Sequence, residues 1–244
     1  MIRSLSLASF FLLFIATFAN AITYDLIDLG TLGEYSTASS INDHGQAVGY
    51  SINADGNERA VLYDNGGVQD LGTLGGWSRA NDINNSGQIV GTSLYGRDEH
   101  GFLYEDGAMN DLADSYAYSI NDSGQIVGNR RNPDLYNLGR AFLFDDGYGS
   151  AANIKTGGFG AQAYDINDNG ETVGYIDNGH GSEAFMKIGD YDIVNDFTSG
   201  ATSTFSLSGS TSAKAYSLNN IGQAVGASGG HAFFYDYGVG ITDL

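Results

Sequence analysis

Residues Ile41 to Gly49 read Ile-Asn-Asp-His-Gly-Gln-Ala-Val-Gly, and this stretch is the first of five similar copies in the chain. The other copies begin at Ile83, Ile120, Ile166 and Leu218, so that successive copies start 42, 37, 46 and 52 residues apart. An alanine lies three residues before every copy: Ala38, Ala80, Ala117, Ala163 and Ala215. A period of this size is typical of solenoids, propellers and other repeat architectures.

Each repeat carries signals for four strands. The alanine and the Ile-Asn pair mark the first strand, and the Gln-x-Val-Gly segment marks the second. The Asn-Asp/Asn-x-Gly segment between them predicts a tight hairpin turn, because Asn and Asp close turns on their own backbone and glycine supplies positive φ. We therefore expect positive φ at the five turn glycines, Gly45, Gly87, Gly124, Gly170 and Gly222.

The third strand signal is apolar on both faces, which is typical of a strand covered on both sides. It comprises Ala60–Tyr63, Gly101–Tyr104, Ala141–Phe144, Ala184–Met186 and Ala232–Tyr235. In most repeats a second turn leads to a short fourth strand. The fold class is therefore all-β, with five four-stranded units in a single domain over residues 22–244. A radial stack covers each sheet on both faces, so a five-bladed β-propeller is favoured, with a β-solenoid as the alternative.

A propeller interpretation predicts where particular segments lie. The five repeated alanines should be buried on the strands nearest the central axis. The segment Ile22–Leu29 resembles a fourth strand without its own first three, and we expect it to pair with the fifth unit and close the ring, because open sheet edges aggregate. Gly240–Leu244 should then lie beside it or fray. The Ser-, Thr- and Gly-rich segment Thr198–Ser212 is expected to be a flexible loop.

Residues 1–21 have the pattern of a signal peptide. Arg3 precedes an apolar run from Leu5 to Phe18, and Ala19-Asn20-Ala21 forms a small-x-small cleavage site. The apolar run is shorter than the roughly 20 residues that span a bilayer, although an uncleaved anchor is the alternative. We expect cleavage after Ala21, a secreted or periplasmic mature chain, and no membrane insertion after cleavage.

Composition limits the classes of partner. Residues 22–244 contain nine Lys and Arg against 29 Asp and Glu, a net charge of −20. A nucleic-acid partner is excluded because phosphate contacts need a basic surface. The chain has no cysteine, which excludes a disulfide scaffold, a cysteine nucleophile and thiolate metal sites.

The repeats resemble a known family. The segments Asp28–Gly33 and Asp70–Gly76 both contain Asp-Leu-Gly-Thr-Leu-Gly, and His231–Phe233 reads His-Ala-Phe. Together with the Ile-Asn-x-x-Gly-Gln-x-Val-Gly copies, these segments make the chain similar to the HAF-type extracellular repeat proteins over nearly all of residues 22–244. The resemblance implies a bacterial exported repeat protein, and it implies no catalytic residue.

Two features are candidate binding sites. Four of the five residues just before the third strand can carry positive charge, and in a closed ring they would share one face: Arg59, His100, Arg140, Glu183 and His231. This ring either compensates nearby carboxylates or binds an anionic or sugar ligand. Trp77 lies in a turn-like segment, where its ring either stacks on a ligand or packs beneath the next blade.

A third feature concerns metals. Asp165, Asn167 and Asn169 match the first half of a calcium-binding loop, but Ile176 replaces the bidentate acid at the twelfth position. The hairpin turn is the competing interpretation of the same residues. Calcium is therefore a weak candidate cofactor, and no other cofactor is indicated.

These patterns favour an exported, non-catalytic binding or interaction module over an enzyme, with a glycan or cell-surface component as its ligand. One alternative is a glycosidase-like hydrolase that uses acidic residues in the central channel. Another is a structural protein of the cell surface or matrix. Fold alone does not choose among them, because one fold serves many functions.

Overall fold

The computed structural model describes residues 25–131, 139–145, 152–153, 160–188 and 201–244, and the predicted signal peptide lies outside them. These residues form five four-stranded antiparallel sheets, each built from consecutive strands paired in chain order. This arrangement confirms the all-β fold class and the division into five four-stranded units. In the described ranges, no helix has the length and apolar character needed to cross a membrane.

The strands are numbered in chain order. Sheet 1 contains β1 (Gly33–Ile41), β2 (Ala47–Asn53), β3 (Glu58–Asp64) and β4 (Gly67–Asp70). Sheet 2 contains β5 (Ser78–Ile83), β6 (Ile89–Tyr95), β7 (Asp98–Glu105) and β8 (Ala108–Asp111). Sheet 3 contains β9 (Ser115–Ile120), β10 (Ile126–Arg130), β11 (Arg140–Phe144) and β12 (Ala152–Asn153). Sheet 4 contains β13 (Ala161–Ile166), β14 (Thr172–Asp177), β15 (Ser182–Ile188) and β16 (Ala201–Phe205). Sheet 5 contains β17 (Ala213–Leu218), β18 (Gln223–Ser228), β19 (His231–Asp236) and β20 (Gly240–Asp243).

The repeated motif forms the hairpin between the first and second strands of every sheet. In sheet 1, the Asn42 carbonyl accepts a bond from the Gly45 amide (3.0 Å), and the Asn42 side-chain oxygen accepts from the amides of His44 and Gln46. Gly45 has a φ of 76°, and the other four turn glycines lie between 75° and 79°. The prediction of five hairpin turns with positive-φ glycines is confirmed.

Every first strand carries a β-bulge just after the repeated alanine. The pairing shifts between Ala38 and Ser40 in sheet 1, and at the equivalent place in the other four sheets. The bulge brings the first strand very close to the last glycine of the motif. A Cβ on Gly49 would overlap the Thr37 carbonyl, and the same overlap exists at Gly91, Gly128, Gly174 and Gly226. The motif therefore ends in glycine because no side chain fits there.

The sheets pack face to face in chain order, with their first strands side by side. Between sheets 1 and 2, Val48 and Ala60 pack against Ala80, Ile83 and Phe102. The same pattern recurs between sheets 2 and 3, 3 and 4, and 4 and 5. The third strands of sheets 1 to 4 are largely buried as predicted, and Phe102, Phe142, Phe185 and Phe233 are fully buried. In the third strand of sheet 5, Ala232 is exposed and Phe234 is half-buried, so the prediction holds there in part.

A hydrogen-bond ladder joins the hairpin turns of neighbouring sheets. The side-chain amide of each turn asparagine donates to the carbonyl of the equivalent asparagine in the next sheet. The bonds run from Asn42 to Asn84 (3.1 Å), from Asn84 to Asn121 (3.0 Å), from Asn121 to Asn167 (2.9 Å) and from Asn167 to Asn219 (3.0 Å). The ladder fixes the register of one sheet on the next.

The stack of sheets is open. In the described part of the chain, no strand of sheet 5 pairs with sheet 1 or packs against it as consecutive sheets pack on each other. Ala80, Ala117, Ala163 and Ala215 are buried as predicted, but Ala38 is exposed because no sheet covers the outer face of β1. On the opposite end, Val225 is 45% exposed, whereas its four equivalents are fully buried.

The prediction that the N-terminal segment closes the ring is wrong for residues 25–29, and residues 22–24 lie outside the described part. Residues 25–32 form no strand, and Leu26 is fully exposed. The Leu32 amide donates instead to the Ser51 hydroxyl of sheet 1 (2.9 Å). The fourth position of sheet 5 is taken by β20, in which Ile241 pairs with Tyr235.

The expectation of a flexible loop over Thr198–Ser212 is also wrong in part. Residues 201–205 form β16, which pairs with β15 and supplies the fourth strand of sheet 4. Thr202 and Thr204 are β-branched residues at alternate positions, and such residues favour strands. Residues 198–200 lie outside the described part.

The asparagine ladder can be tested with two variants that differ in one bond. Asn121→Ala removes the turn bonds and the bond to sheet 4, whereas Asn219→Ala removes only turn bonds, because no described sheet follows sheet 5. We expect Asn121→Ala to lower the free energy of unfolding by about 1–2 kcal/mol more than Asn219→Ala in urea titrations of dilute protein. Equal losses would show that the ladder adds no stability.

Candidate functional site

The bulge residues of the first strands form one continuous row on the inner side of the stack. A bulge turns the side chain of its extra residue away from the regular pleat. In the five sheets this residue is Ser39, Asn81, Tyr118, Tyr164 and Tyr216. Sheets 3, 4 and 5 therefore present three neighbouring tyrosines on their innermost strands.

These three tyrosines and two others make up what we call the tyrosine cluster: Tyr116, Tyr118, Tyr164, Tyr175 and Tyr216. The Tyr164 ring centroid lies 5.9 Å from that of Tyr118, 5.6 Å from that of Tyr216 and 5.9 Å from that of Tyr175. Tyr116 stacks against Tyr118 at 6.3 Å. The rings are half-buried, except that Tyr216 is 49% exposed. The cluster thus joins three sheets and stays accessible from the inner side.

Burial favours the neutral form of four hydroxyls in the cluster, those of Tyr116, Tyr118, Tyr164 and Tyr175. Burial raises the pKa of Tyr164 to about 12, and the neighbouring Tyr175 and Tyr216 add to the shift. Burial also raises the pKa of Tyr116 to about 12, and Tyr116 donates a hydrogen bond to Glu99 (2.5 Å). Burial likewise raises the pKa values of Tyr118 and Tyr175. At physiological pH Tyr116, Tyr118, Tyr164 and Tyr175 are therefore neutral.

A pocket of about 670 Å³ lies next to the cluster between sheets 4 and 5. Tyr175 belongs to both the cluster and the pocket wall, and the Lys214 ammonium lies 4.4 Å from the centre of its ring. Asp177, Ser182 and Ser212 supply a carboxylate and two hydroxyls, and the two hydroxyls lie 3.1 Å apart. The volume falls within the range of ordinary small-molecule sites.

Two acidic residues of the first strands, Asp82 and Asp165, hold neighbouring sheets together. Ser40, Asp82, Ser119, Asp165 and Ser217 occupy one repeat position, so serine and aspartate alternate along the stack. Asp82 accepts a bond from the Ser40 hydroxyl (2.6 Å), and Asp165 accepts one from the Ser217 hydroxyl (2.7 Å). The Ser119 hydroxyl lies 2.9 Å from both carboxylates and can donate its one hydrogen to either of them.

Two backbone amides complete the bonding of each of these carboxylates. The amides of Ile83 and Ile120 donate to Asp82, and those of Ile166 and Leu218 donate to Asp165. Burial raises the pKa of Asp165, and its hydrogen bonds oppose the shift. Each carboxylate therefore accepts at least three bonds from the protein, and Ser119 adds a fourth to one of them, which leaves little capacity for acid-base chemistry on a substrate.

The five residues before the third strands occupy equivalent places, as the repeat register predicted. Each lies two residues before the partner of the motif glycine: Arg59, His100, Arg140, Glu183 and His231. Three of them face an aspartate of the fourth strand, since Arg59 lies 3.8 Å from Asp70, His100 2.8 Å from Asp111, and His231 3.3 Å from Asp243.

The remaining contacts at these positions also involve the protein itself. His100 is 3.2 Å from Asp114, Glu183 accepts a bond from Asn178 (3.0 Å), and Arg140 is exposed. The pairing with Asp70, Asp111 and Asp243 favours charge compensation for this ring. Ligand binding by Arg59, His100, Arg140 and His231 stays a prediction.

Trp77 lies at the junction of sheets 1 and 2 and is half-buried. The Arg79 guanidinium is 5.4 Å from the Trp77 ring and 4.9 Å from the Tyr50 ring, and it forms two bonds with Glu58 (2.7 and 2.8 Å). Arg59 donates to the Gly76 carbonyl (2.9 Å), so Arg59 and Trp77 are brought close together. A ligand role for Trp77 stays a prediction.

The calcium candidates do not converge on one point. Asp165 bonds the inner strands, the Asn167 oxygen accepts the amides of Asn169 and Glu171, and the Asn169 side-chain amide donates to the Asn220 carbonyl (2.8 Å). Within the described ranges, no cluster of three or more His, Cys, Asp or Glu residues could hold a metal ion. Calcium binding stays a prediction.

The tyrosine cluster was not singled out from the sequence. The signal was present, because Tyr118, Tyr164 and Tyr216 each follow the repeated alanine directly. The direction in which they point depends on the bulge, and the bulge is visible only once the strands are paired.

The fold resembles that of solved propeller structures. TolB from Acinetobacter baumannii, a β-propeller, matches with a TM-score of 0.52 at 11% identity, over 83% of this chain and 52% of the TolB chain. The tricorn protease matches with a TM-score of 0.47 at 9% identity, over 81% of this chain and 21% of that chain. No family model and no curated protein matches the sequence. The chain thus spans about half the length of TolB, and the likeness concerns the fold.

The raised pKa of Tyr164 can be tested by a spectroscopic pH titration. An ordinary tyrosine ionises near pH 10, whereas Tyr164 should ionise near pH 12. The raised pKa means that the folded state favours neutral Tyr164, a contribution present below pH 10 and lost as the pH rises towards 12. We expect Tyr164→Phe to remove tyrosinate absorbance from the pH region near 12. A loss from the region near 10 would show that Tyr164 is solvated like a free tyrosine.

Proposed function

We propose that the protein is an exported, non-catalytic binding module that holds a neutral glycan on the tyrosine cluster. The observation that carries this proposal is the contact of Tyr118, Tyr164 and Tyr216 across three sheets, with a pocket at one end. Tyrosine offers a large, rigid, amphipathic contact surface at a low cost in conformational entropy. A row of such rings suits an extended ligand better than a compact one.

The chemistry of the pocket supports a sugar as the ligand. Sugar rings have apolar C–H faces, which stack on aromatic rings, and hydroxyl edges, which need donors and acceptors. Tyr175 supplies an aromatic ring on which a sugar face can stack. Asp177, Ser182 and Ser212 supply the hydrogen-bonding groups. Lys214 and Asp177 bring opposite charges to the pocket lining, and the net charge of the chain disfavours an anionic ligand.

The same geometry argues against the hydrolase alternative. A glycosidase needs one carboxyl group free to protonate the leaving group and a second that activates water or attacks the sugar. Asp82 and Asp165 lie near the ends of the first strands of sheets 2 and 4, and each accepts at least three hydrogen bonds from the protein. Their arrangement supports a structural role.

As to architecture, we propose an open β-propeller of five blades that belongs with the HAF-type exported repeat proteins. The five sheets in chain order and the likeness to TolB support the propeller, and the repeat motifs support the family. Residues 1–21 support export to the periplasm or the medium.

A glycan array tests the binding proposal directly. We expect the wild-type protein to bind neutral oligosaccharides and Tyr164→Ala to weaken binding about tenfold, because one lost stacking face costs on the order of 1.5 kcal/mol. Tyr216→Ala is the second variant, since Tyr216 is more exposed and its removal leaves the core intact. Affinities are measured by isothermal titration calorimetry.

Tyr237→Ala is the matched control, because Tyr237 is exposed in the turn between β19 and β20 and belongs to no part of the cluster. It should bind like the wild type. Absence of glycan binding by a folded protein would overturn the proposal and favour a structural surface role. Equal weakening by Tyr237→Ala would show that the cluster is not the site.

Export can be checked by mass spectrometry of the protein expressed with residues 1–21 in a bacterial host. The periplasmic or secreted product should begin at Ile22, because signal peptidase cuts after the small-x-small pattern. A product that keeps residues 1–21 and stays with the membrane would contradict the signal-peptide prediction.

A further inference from the structure

We infer that the outer faces of sheets 1 and 5 are the two halves of one interface, through which a second copy of this chain binds head to tail. The two faces lie at opposite ends of the open stack. This inference uses neither the tyrosine cluster nor its ligand, so it does not depend on the proposed glycan binding.

The four junctions inside the chain show what a complete interface contains. In the junction between sheets 2 and 3, the Asn84 side-chain amide donates to the Asn121 carbonyl (3.0 Å). In the same junction, the Asn85 amide and side chain donate to the two carboxylate oxygens of Asp122 (2.8 and 2.9 Å). In these bonds the earlier sheet supplies the donors and the later sheet supplies the acceptors. In the junctions between sheets 1 and 2 and between sheets 4 and 5, the side-chain amides of Asn85 and Asn220 also donate back to Asp43 (3.0 Å) and Asp168 (2.7 Å).

The ends of the stack carry the unmatched halves of this ladder. Sheet 5 ends with Asn219 and Asn220, which correspond to Asn84 and Asn85. Sheet 1 begins with Asn42 and Asp43, which correspond to Asn121 and Asp122. In the described part of the chain, no sheet follows Asn219 and Asn220, and none precedes Asn42 and Asp43. Donor and acceptor types therefore match between the two ends.

The apolar residues of the two faces match in the same way. In the junction between sheets 2 and 3, Val90 and Leu112 of sheet 2 pack with Ala117 and Ile120 of sheet 3, and all four are buried. The equivalents of the first two are Val225 and Leu244, which are 45% and 75% exposed. The equivalents of the last two are Ala38, which is exposed, and Ile41, which is 68% exposed.

The inner row of serines and aspartates is compatible with this contact. Ser217 and Ser40 would meet without a carboxylate between them. Two hydroxyls can bond directly, as those of Ser182 and Ser212 do at 3.1 Å. The interface is heterologous, so that each copy keeps a free end for the next, and assembly continues until a ring closes or a filament grows.

Variants that block one face each test the inference. Ile41→Glu places a charge on the face of sheet 1, and Val225→Glu places one on the face of sheet 5. Both residues are exposed in the single chain, so we expect both variants to fold, as circular dichroism would confirm. The wild type should assemble in a concentration-dependent way in sedimentation velocity experiments, whereas each variant alone should stay monomeric.

Mixing the two variants is the decisive step, because each keeps the face that the other has lost. An equimolar mixture should form a one-to-one dimer and nothing larger. The control is the double variant, which carries both Ile41→Glu and Val225→Glu. It should stay monomeric because both of its faces are blocked. Asn219→Ala in the Ile41→Glu partner should weaken the mixed dimer about tenfold, through the lost ladder bond.

Three results would overturn the inference. A wild-type protein that stays monomeric over the whole concentration range would show that the faces are covered within one chain or need no cover. Self-association of either single variant would show a symmetric contact through one face. A mixture that stays monomeric would show that the two faces do not bind each other.

Discussion

The repeat architecture depends on the side chain of the turn asparagine. Its oxygen accepts two backbone amides and closes the hairpin, while its nitrogen donates to the equivalent asparagine of the next sheet. Aspartate could do the first task but has no donor for the second. One side chain therefore sets both the local turn and the distance between sheets. Asn42, Asn84, Asn121 and Asn167 fill both roles, whereas Asn219 of the fifth copy closes its hairpin only, in the described part of the chain.

Local features of this fold were predictable because they depend on neighbours in the sequence. The hairpin turns, the glycines such as Gly45, and the apolar third strands follow from turn chemistry and strand pattern. The exposure of Ala38 was not predictable, because its sequence surroundings resemble those of Ala80. What differs is whether another sheet covers it, which depends on residues far away in the sequence. The N-terminal segment was misassigned for a related reason, since β20 already filled the edge.

The candidate site shows a similar limit. The sequence drew attention to charged residues such as Arg59 and His100, yet the structure pairs them with aspartates of the fourth strand. The tyrosines were overlooked because alternation in a strand cannot show a bulge, which shifts one side chain out of phase. An acidic chain can therefore present an aromatic inner surface, because Asp82 and Asp165 are bonded to serines and backbone amides beneath it.

The bulge after the repeated alanine has a consequence for how such a protein diversifies. It separates a backbone role, which belongs to the alanine and the motif glycine, from a side-chain position that projects out of the regular pleat. That position holds serine, asparagine and three tyrosines in one chain without any change in the sheets. Selection can therefore alter the recognition surface one repeat at a time, and duplication of a repeat lengthens the surface by one position. Ligand specificity then depends on the few residues at the bulge positions, and the scaffold that displays them stays the same.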